Sequence, residues 1–194
     1  MDTKTLSTTI VFAAVTVALN PAISQIALPA PYAPYLIYQI WEIPIVAAFI
    51  LINRKAAVTI AVINAFVLTT IFPGPLLMGA TYNLIAVLSM LSGILIIQKV
   101  FKNPEKTIQK KPTYTKTKFV ILSTTLGIIF RVIIMTVVNY LVLRYPFPIG
   151  FELDEPFIIA SLIPTGIFNA TLALYTIPIG LFVAKAINKN LKLN

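Results

Sequence analysis

The feature that most constrains this chain is a series of long apolar runs separated by short breaks. About 20 apolar helical residues, each rising ~1.5 Å, are needed to cross the ~30 Å hydrocarbon core of a bilayer. Several runs reach that length, 58% of the 194 residues are hydrophobic, and only 11% are charged. Soluble domains carry a larger share of charged residues. The chain is therefore predicted to be an integral membrane protein.

The breaks between the runs place six helices, near residues 5–22, 37–53, 56–72, 79–100, 117–143 and 157–186. Proline does not continue a helix, so the segment 21–36, which contains four prolines, is predicted to be a loop. Later helices are separated by a charged turn at 53–55, a Pro-Gly-Pro turn at 73–75 and the basic segment 99–118. The first run lacks a small-x-small cleavage site followed by a soluble mature domain, and is expected to be a spanning helix. We predict one all-α domain over residues 1–194.

The distribution of basic residues indicates the orientation, because Lys and Arg are enriched in cytoplasmic loops. If the N-terminus lies inside, the inner segments carry thirteen of the fifteen Lys and Arg residues. The outer loops carry Arg144 with Glu152, Asp154 and Glu155, and Arg131 lies within a helix. Both termini are therefore predicted to be cytoplasmic. The same basic loops account for the formal charge of +9, so we do not predict nucleic-acid binding.

The chain contains no Cys and no His, which excludes thiol catalysis, disulfides and His-based metal sites. The three outer carboxylates are weak evidence for calcium without further ligands, and a solvated loop is the simpler interpretation. No Gly-x-x-x-x-Gly-Lys loop for ATP is present. We predict neither a metal nor a covalently bound cofactor.

Polar side chains inside a bilayer are costly, so each needs a partner or a function. From the helix rise, Asn83 and Asn139 lie about 6 Å, and Glu42 about 8 Å, below the outer ends of their helices. Arg131 and Asn169 lie about 18 Å deep. Such a cluster suits capture of an external solute, although hydrogen bonds between helices would explain it too. Arg131 and Glu42 are the only charges predicted inside the membrane, and we expect them to pair, holding either a ligand or the fold.

Two further patterns each have two interpretations. The aromatic residues Tyr32, Tyr35, Tyr38 and Trp41 are typical of an interfacial belt and would also stack on a flat heterocycle. Ala14 and Ala18, four residues apart in the first helix, form a small-residue face that permits close approach of another helix. Packing inside the protein explains that face equally well.

Several short segments occur in an informative order along the chain. They are Ala14-x-x-x-Ala18, Tyr38-Gln39-Ile40-Trp41-Glu42-Ile43-Pro44, Asn53-Arg54-Lys55-Ala56-Ala57, Gly79-Ala80-Thr81-Tyr82-Asn83, Met135-Thr136-Val137-Val138-Asn139-Tyr140 before Pro146, and Ile163-Pro164. In this order the chain resembles the S component of an energy-coupling factor (ECF) transporter, most of all the riboflavin-binding branch. The similarity covers nearly the whole chain.

The resemblance implies a transport subunit of the cell membrane, not an enzyme. It would bind an external vitamin and work with a membrane coupling (T) protein and two ATPase subunits. Ala14 and Ala18 match the docking motif, Asn83 and Asn139 match positions that line the vitamin site, and the loop 21–36 matches the lid. The complete set of predicted substrate-binding residues is Tyr35, Tyr38, Glu42, Asn83, Arg131, Asn139 and Asn169.

The sixth helix departs from the riboflavin branch, which tends to carry Pro-Phe-Asn followed closely by Lys. Here the segment from Pro164 ends in Phe168-Asn169, and Asn169 stands where Lys is expected. Arg131, predicted at the same depth, would take over that polar role. Riboflavin or a related flavin is the first expectation for the substrate. The alternatives are another vitamin, a nucleobase-like solute, a membrane-embedded lipid-modifying enzyme, or a membrane protein with a structural role.

Overall fold

The computed structural model describes residues 3–24, 26, 28–71, 78–101 and 116–191. The elements are α1 (Thr3–Ala18), α2 (Pro21–Ser24), β1 (Leu28–Ala30), β2 (Ala33–Tyr38), α3 (Glu42–Leu51), α4 (Arg54–Thr70), α5 (Gly79–Phe101), α6 (Thr117–Val142) and α7 (Glu155–Leu191). Apart from the four-residue α2, the helices follow the six apolar runs. The predicted turn at 73–75 and most of the basic segment 99–118 lie outside the described residues.

Among the residues that the structure describes, three helices are long and apolar enough to cross a membrane, namely Gly79–Phe101, Thr117–Val142 and Glu155–Lys189 within α7. Two further apolar helices, α1 and α3, are shorter. At ~1.5 Å per residue, the ten residues of α3 extend about 15 Å, half the thickness of the hydrocarbon core. The count of six spans and the cytoplasmic termini stay predictions.

The short helix α3 lies at the centre of the bundle. It packs against α1, α4, α5 and α7, while α6 packs against α5 and α7. Seven of its ten residues are buried, and Ile45, Val46 and Ala48 contribute to the main hydrophobic core. A helix that buries most of its circumference has to be apolar all round. This accounts for the uninterrupted hydrophobic sequence after Glu42.

The predicted second helix, 37–53, was wrong at its N-terminal end. Residues 37 and 38 belong to β2, and α3 begins only at Glu42. Tyr, Leu and Ile are as well suited to strands as to helices, so the apolar run concealed the change of structure. The start of the third helix also differs from the prediction. The side chain of Asn53 accepts a hydrogen bond from the Ala56 amide at 2.9 Å, which caps α4 and starts it at Arg54 instead of residue 56.

The segment 21–36, predicted to be a loop, contains regular structure. The side chain of Asn20 accepts a hydrogen bond from the Ala22 amide and so caps α2. This cap ends α1 at Ala18, not at the predicted residue 22. The strands β1 and β2 then form an antiparallel hairpin in which Leu28 lies opposite Tyr38.

The longest helix, α7, runs from Glu155 to Leu191 and extends beyond both ends of the predicted 157–186. It contains Pro164 and Pro178, each of which removes one helical hydrogen bond. The contact between α5 and α6 depends on glycine, because a Cβ atom at Gly93 would lie 2.6 Å from the Leu126 carbonyl oxygen. That close approach fixes the spacing of the two helices just below the site described next.

Candidate functional site

The structure brings three of the predicted site residues together in the middle of the bundle. Arg131 of α6 donates two hydrogen bonds to the carboxylate of Glu42, one of them from Nη2 to Oε1 at 2.9 Å. The third partner is Asn169 of α7, whose Oδ1 accepts from Arg131 Nε at 2.9 Å. All three side chains are buried, with exposed fractions of 4% or less. They form a network that ties α3, α6 and α7 together, which we call the polar layer.

The polar layer satisfies most of its own hydrogen-bonding capacity. The bidentate geometry between Arg131 and Glu42 suits a planar guanidinium and a carboxylate. The amide nitrogen of Asn169 donates to the Thr165 carbonyl in its own helix at 2.9 Å. Glu42 is the first residue of α3, where the positive end of the helix dipole favours a negative charge. The two formal charges cancel, so the layer is electrically neutral.

The burial of the helices changes at the polar layer. On the inner side, α5, α6 and α7 each have a buried face that includes Met90, Gly127 and Ile177. On the side that the charge distribution predicts to be the outer one, no residue of 79–85, 136–142 or 159–167 is buried. A helix packed tightly between neighbours buries one face, so these outer segments are packed less closely than the inner ones. We call the region between them the outer vestibule, and the polar layer lies at its inner end.

The segment that joins the hairpin to α3 is held against α7. The phenol of Tyr175 accepts a hydrogen bond from the Gln39 amide at 3.3 Å and donates one to the Gln39 carbonyl. The ring of Tyr38 contacts Phe168 with a centroid separation of 5.1 Å and Tyr175 at 6.4 Å. These contacts place the C-terminal end of β2 beside Asn169 and close to the polar layer.

The tyrosines of the hairpin separate into two groups. The hydroxyl groups of Tyr32 and Tyr38 are hydrogen-bonded at 2.7 Å. Desolvation, with a further contribution from this bond, raises the pKa of Tyr32 to about 12. The Tyr32 phenol therefore stays neutral at physiological pH. Tyr35 is 66% exposed and lies on the opposite face of β2 from Tyr38, because side chains alternate along a strand. The structure does not bring Tyr35 to the polar layer.

The other two asparagines among the predicted site residues, Asn83 and Asn139, lie further out along the outer vestibule. Asn83 of α5 and Asn139 of α6 are both half-buried. Asn83 precedes Met90 by seven residues and Asn139 follows Arg131 by eight, which places each about 10–12 Å outward along its helix. The amide nitrogen of Asn139 donates to the Met135 carbonyl at 2.7 Å, which leaves its oxygen available as an acceptor.

The sequence did not indicate every residue of this region. The sulfur of Met90 lies 3.7 Å from Arg131 Nη1, and Tyr175 anchors Gln39 as described. Both are ordinary residues of an apolar helix, and nothing in their spacing distinguished them. Trp41 is 1% exposed, and its indole nitrogen has no hydrogen-bond partner. Within the described ranges, no three Asp, Glu, His or Cys side chains are grouped so that they could hold a metal ion.

The predicted docking residues Ala14 and Ala18 are both exposed on α1. An apolar groove of about 400 Å³ beside Ala14 is formed by α1 and α4, with Ala13, Thr59 and Ile63 in its wall. A second groove, of about 600 Å³, lies between α1, α3 and α7. The first helix is therefore flanked by two apolar grooves.

Comparison with solved structures gives the class of fold, which is that of the S components of ECF transporters. A solved structure described as the S component of a bacterial ECF transporter matches with a TM-score of 0.71. The match covers 97% of this chain and 98% of that chain at 21% sequence identity. No protein-family model matches the chain, and no curated protein matches its sequence. The S-component fold predicted from the order of short motifs is thus confirmed, while the riboflavin branch stays a prediction.

Proposed function

We propose that this protein is the substrate-binding S component of an ATP-driven ECF importer. It would capture an external vitamin, a flat, uncharged heterocycle such as riboflavin or a related flavin. The observation that carries the proposal is the outer vestibule above the polar layer in a chain with the S-component fold. Another vitamin or a nucleobase-like solute is the second candidate, because such solutes are also flat and carry polar groups.

The position of the hairpin supports a water-filled cavity. Non-helical backbone at membrane depth is tolerated only where it is covered by protein or lines an aqueous space. The segment from β2 to Trp41 reaches the polar layer, where Glu42 meets the middle of α6. Its Gln39 amide and carbonyl are satisfied by Tyr175. This arrangement suits a loop that covers a solute in the outer vestibule.

The side chains around the outer vestibule would supply both kinds of contact that a flavin needs. Tyr38 would offer an aromatic surface for stacking. Asn83 and Asn139 would hydrogen-bond the polar edge of the ring from two different helices. Arg131, Glu42 and Asn169 would form the floor beneath the solute. Tyr35, on the opposite face of β2, would contribute only if the hairpin rearranged around the ligand.

The partners follow from the same proposal. An S component lacks an ATPase of its own, so uptake would require a membrane coupling (T) protein and two ATPase subunits. The exposed Ala14 and Ala18 face and its flanking grooves would receive a helix of the coupling protein. Small residues suit such a contact because two backbones can approach closely. The protein would lie in the cell membrane with six spans and both termini in the cytoplasm.

The direct experiment is identification of the small molecule that remains bound after gentle purification in detergent. We expect a flavin, detected by its visible absorbance and by mass spectrometry of the extract. The variants Asn83→Ala and Asn139→Ala should each lose flavin affinity by about tenfold or more, the effect of roughly 1.4 kcal/mol. Ser92→Ala is a matched control on α5, because its exposed hydroxyl bonds only to Leu88 of its own helix.

Other outcomes would redirect the proposal. Recovery of a different heterocycle whose binding depends on the two asparagines would keep the S-component assignment and replace the flavin. A protein that binds no small molecule, and whose stability and activity in cells are unaffected by both asparagine variants, would be assigned a structural role instead. A covalent change in a lipid on incubation with the purified chain would indicate the membrane-embedded enzyme.

A further inference from the structure

The loop between α6 and α7 exposes a set of large apolar side chains. This segment, residues 143–154, follows the end of α6 at Val142 and precedes the start of α7 at Glu155, and we call it the aromatic loop. Four of its side chains are between 44% and 68% exposed, namely Tyr145, Phe147, Ile149 and Phe151. Single apolar residues are normal on a protein surface, but a cluster of them indicates a contact with another protein or with a membrane.

The charged residues of the aromatic loop lie at its two ends. Residues 145–151 carry no charge, while Arg144 precedes them and Glu152 follows. The guanidinium of Arg144 folds back onto α6, where it lies 4.7 Å from the ring centre of Tyr140 and donates to the Tyr140 carbonyl. Charged side chains are costly in hydrocarbon. An uncharged tip between charged ends therefore suits immersion of the tip alone.

The backbone of the aromatic loop is hydrogen-bonded within the chain. Six of its amides donate to carbonyl groups of residues 142–146, namely those of Tyr145, Ile149, Gly150, Phe151, Glu152 and Leu153. Residues 146 and 148 are prolines and have no N–H to satisfy. The Ile149 carbonyl accepts from the Tyr82 hydroxyl of α5. Unpaired backbone groups are what normally keep a loop out of an apolar environment, so this loop can enter one at little cost.

The surface of the loop follows an exposed apolar stripe of α6. The stripe has one residue at every fourth position and consists of Ile129, Ile133, Val137 and Leu141. Residues four apart lie on the same face of a helix, and α6 is long and apolar enough to cross a membrane. The stripe is therefore expected to face hydrocarbon. Because Leu141 lies two residues before the aromatic loop, the stripe leads directly to it.

Exposure distinguishes the tip of the loop from the residues that border the outer vestibule. Asn83 and Asn139 are half-buried there. Phe147 and Phe151 are 68% and 53% exposed, which is comparable to Val137 of the stripe at 52%. The two phenylalanines thus resemble the lipid-facing surface and not the vestibule.

We propose that the aromatic loop is an interfacial anchor, which inserts Phe147 and Phe151 into the lipid leaflet on the predicted outer side and holds that end of α6 at the membrane surface. Aromatic residues are enriched at membrane interfaces, and phenylalanines of surface-bound segments lie at the boundary of headgroups and acyl chains. The 26 residues of α6 extend about 39 Å, roughly 9 Å more than the hydrocarbon core. With the loop at the interface, this excess lies at the opposite end of α6, beside Lys116 and Lys118. The anchor does not depend on which solute the outer vestibule binds.

The first test compares the variants Phe147→Cys and Glu152→Cys, since the chain has no native Cys. Both positions are exposed in the same loop, so they differ in the proposed contact with lipid and not in burial within the protein. A charged maleimide, which stays in water, is applied to membrane fragments open on both sides, so that the orientation of the chain does not affect the result. We expect Phe147→Cys to react about tenfold or more slowly than Glu152→Cys, because burial of the remaining Phe151 favours the immersed state by at least that factor. After unfolding in detergent the two rates should be equal.

The second test distinguishes lipid from protein as the cover. The same two variants are labelled with a small fluorophore and reconstituted at low density into phosphatidylcholine vesicles. Phosphatidylcholine brominated near the headgroup end of its acyl chains should quench the fluorophore at position 147, and aqueous iodide should quench the one at position 152. Quenching of both fluorophores by iodide alone would overturn the anchor.

Two further results would also overturn it and assign the loop differently. Slow maleimide labelling of Phe147→Cys in native membranes, without quenching by brominated lipid in vesicles, would indicate a cover of protein, either a second copy or another subunit. Slow labelling that appears only when riboflavin is added would indicate that the loop closes over the outer vestibule.

The effect of the anchor on α6 is measured with Leu141→Cys in the background Phe147→Ser/Phe151→Ser. Without the two aromatic side chains, the end of α6 should move toward water, and labelling of Leu141→Cys should increase about threefold, since mismatch costs only fractions of a kcal/mol per Å. Ile133→Cys, two turns deeper on the same stripe, is the matched control and should stay unreactive. The unfolding temperature in detergent should not change, because both phenylalanines are exposed. Unchanged labelling of Leu141→Cys would show that the loop does not hold the end of α6.

Discussion

At the scale of single residues, Glu42 and Arg131 form a buried ion pair, in which each charged side chain is stabilised by the other. Replacement of Arg131 by Met leaves a fully buried carboxylate without its cation, and we expect a loss of about 3–5 kcal/mol in the free energy of unfolding. The double variant Glu42→Met/Arg131→Met should recover most of that loss, because packed apolar side chains replace a buried ion pair at little net cost. Unfolding by heat or denaturant in detergent measures both. Equal stability of the single and double variants would contradict the burial of the pair.

The composition of the polar layer was partly predictable from the sequence. Only two charges were expected inside the membrane, and their pairing follows from the cost of leaving either one alone. The hydrogen bond between Arg131 and Asn169 agrees with the equal depth that the helix rise gave them. Glu42 lies deeper than predicted, because α3 starts five residues later than expected. Met90 and Tyr175 were not predictable, since their roles arise from which helices meet.

At the scale of elements, the hairpin and α3 show where an apolar sequence is ambiguous. Residues 35–41 could form a strand or a helix, because a short apolar run without alternation fits both. Pro44 was the informative residue. Proline is tolerated in the first turn of a helix and disrupts its interior, so a helix that contains Pro44 is expected to begin just before it, as α3 does at Glu42. The asparagine caps at positions 20 and 53 marked helix starts in the same way.

The contact between α5 and α6 gives a prediction at this scale. In the variant Gly93→Ala, the new methyl group would lie 2.6 Å from the Leu126 carbonyl oxygen and 2.7 Å from the Gly127 nitrogen. Both atoms belong to the backbone and cannot rotate away, so the helices have to separate. We expect a loss of about 1–3 kcal/mol, measured as a lower unfolding temperature.

Gly166 provides the matched control for that variant. A Cβ atom at Gly166 would have Val132 Cγ1 at 4.0 Å as its nearest neighbour, so alanine fits without displacement. Alanine also favours helix over glycine by up to about 1 kcal/mol. Gly166→Ala should therefore leave stability unchanged or raise it slightly. A similar loss in both variants would mean that close packing of α5 and α6 is not the cause.

At the scale of the whole molecule, the orientation in the membrane is predicted by the charges and can be measured directly. The chain has no native Cys, so single cysteines can be introduced without a background. With the cytoplasmic termini that the basic segments predict, a membrane-impermeant thiol reagent should label Glu152→Cys in intact cells. Lys55→Cys should react only after the cells are permeabilised. Labelling of Lys55→Cys from the outside would reverse the orientation.

The first helix connects ligand capture to transport in the proposed assembly. Ala14 and Ala18 are exposed on α1, whereas the polar layer is built from α3, α6 and α7. Replacement of either alanine by Trp should therefore block the close helix contact with a coupling protein and leave the ligand site intact. We expect vitamin uptake by cells to be abolished and the affinity of the purified protein to change less than about threefold, a difference below roughly 1 kcal/mol.

The control for this variant is Ile133→Trp, which places the same bulk at a 58% exposed position on α6. The main neighbours of α6 are α5 and α7, not α1. Uptake should therefore persist in this variant. Loss of uptake in both variants would indicate that any bulky residue on the lipid-facing surface is harmful. Loss of binding together with uptake in Ala14→Trp would show that α1 supports the ligand site, and the docking role would pass to another face. Persistence of uptake in Ala14→Trp and Ala18→Trp would leave the two grooves beside α1 without a function in coupling.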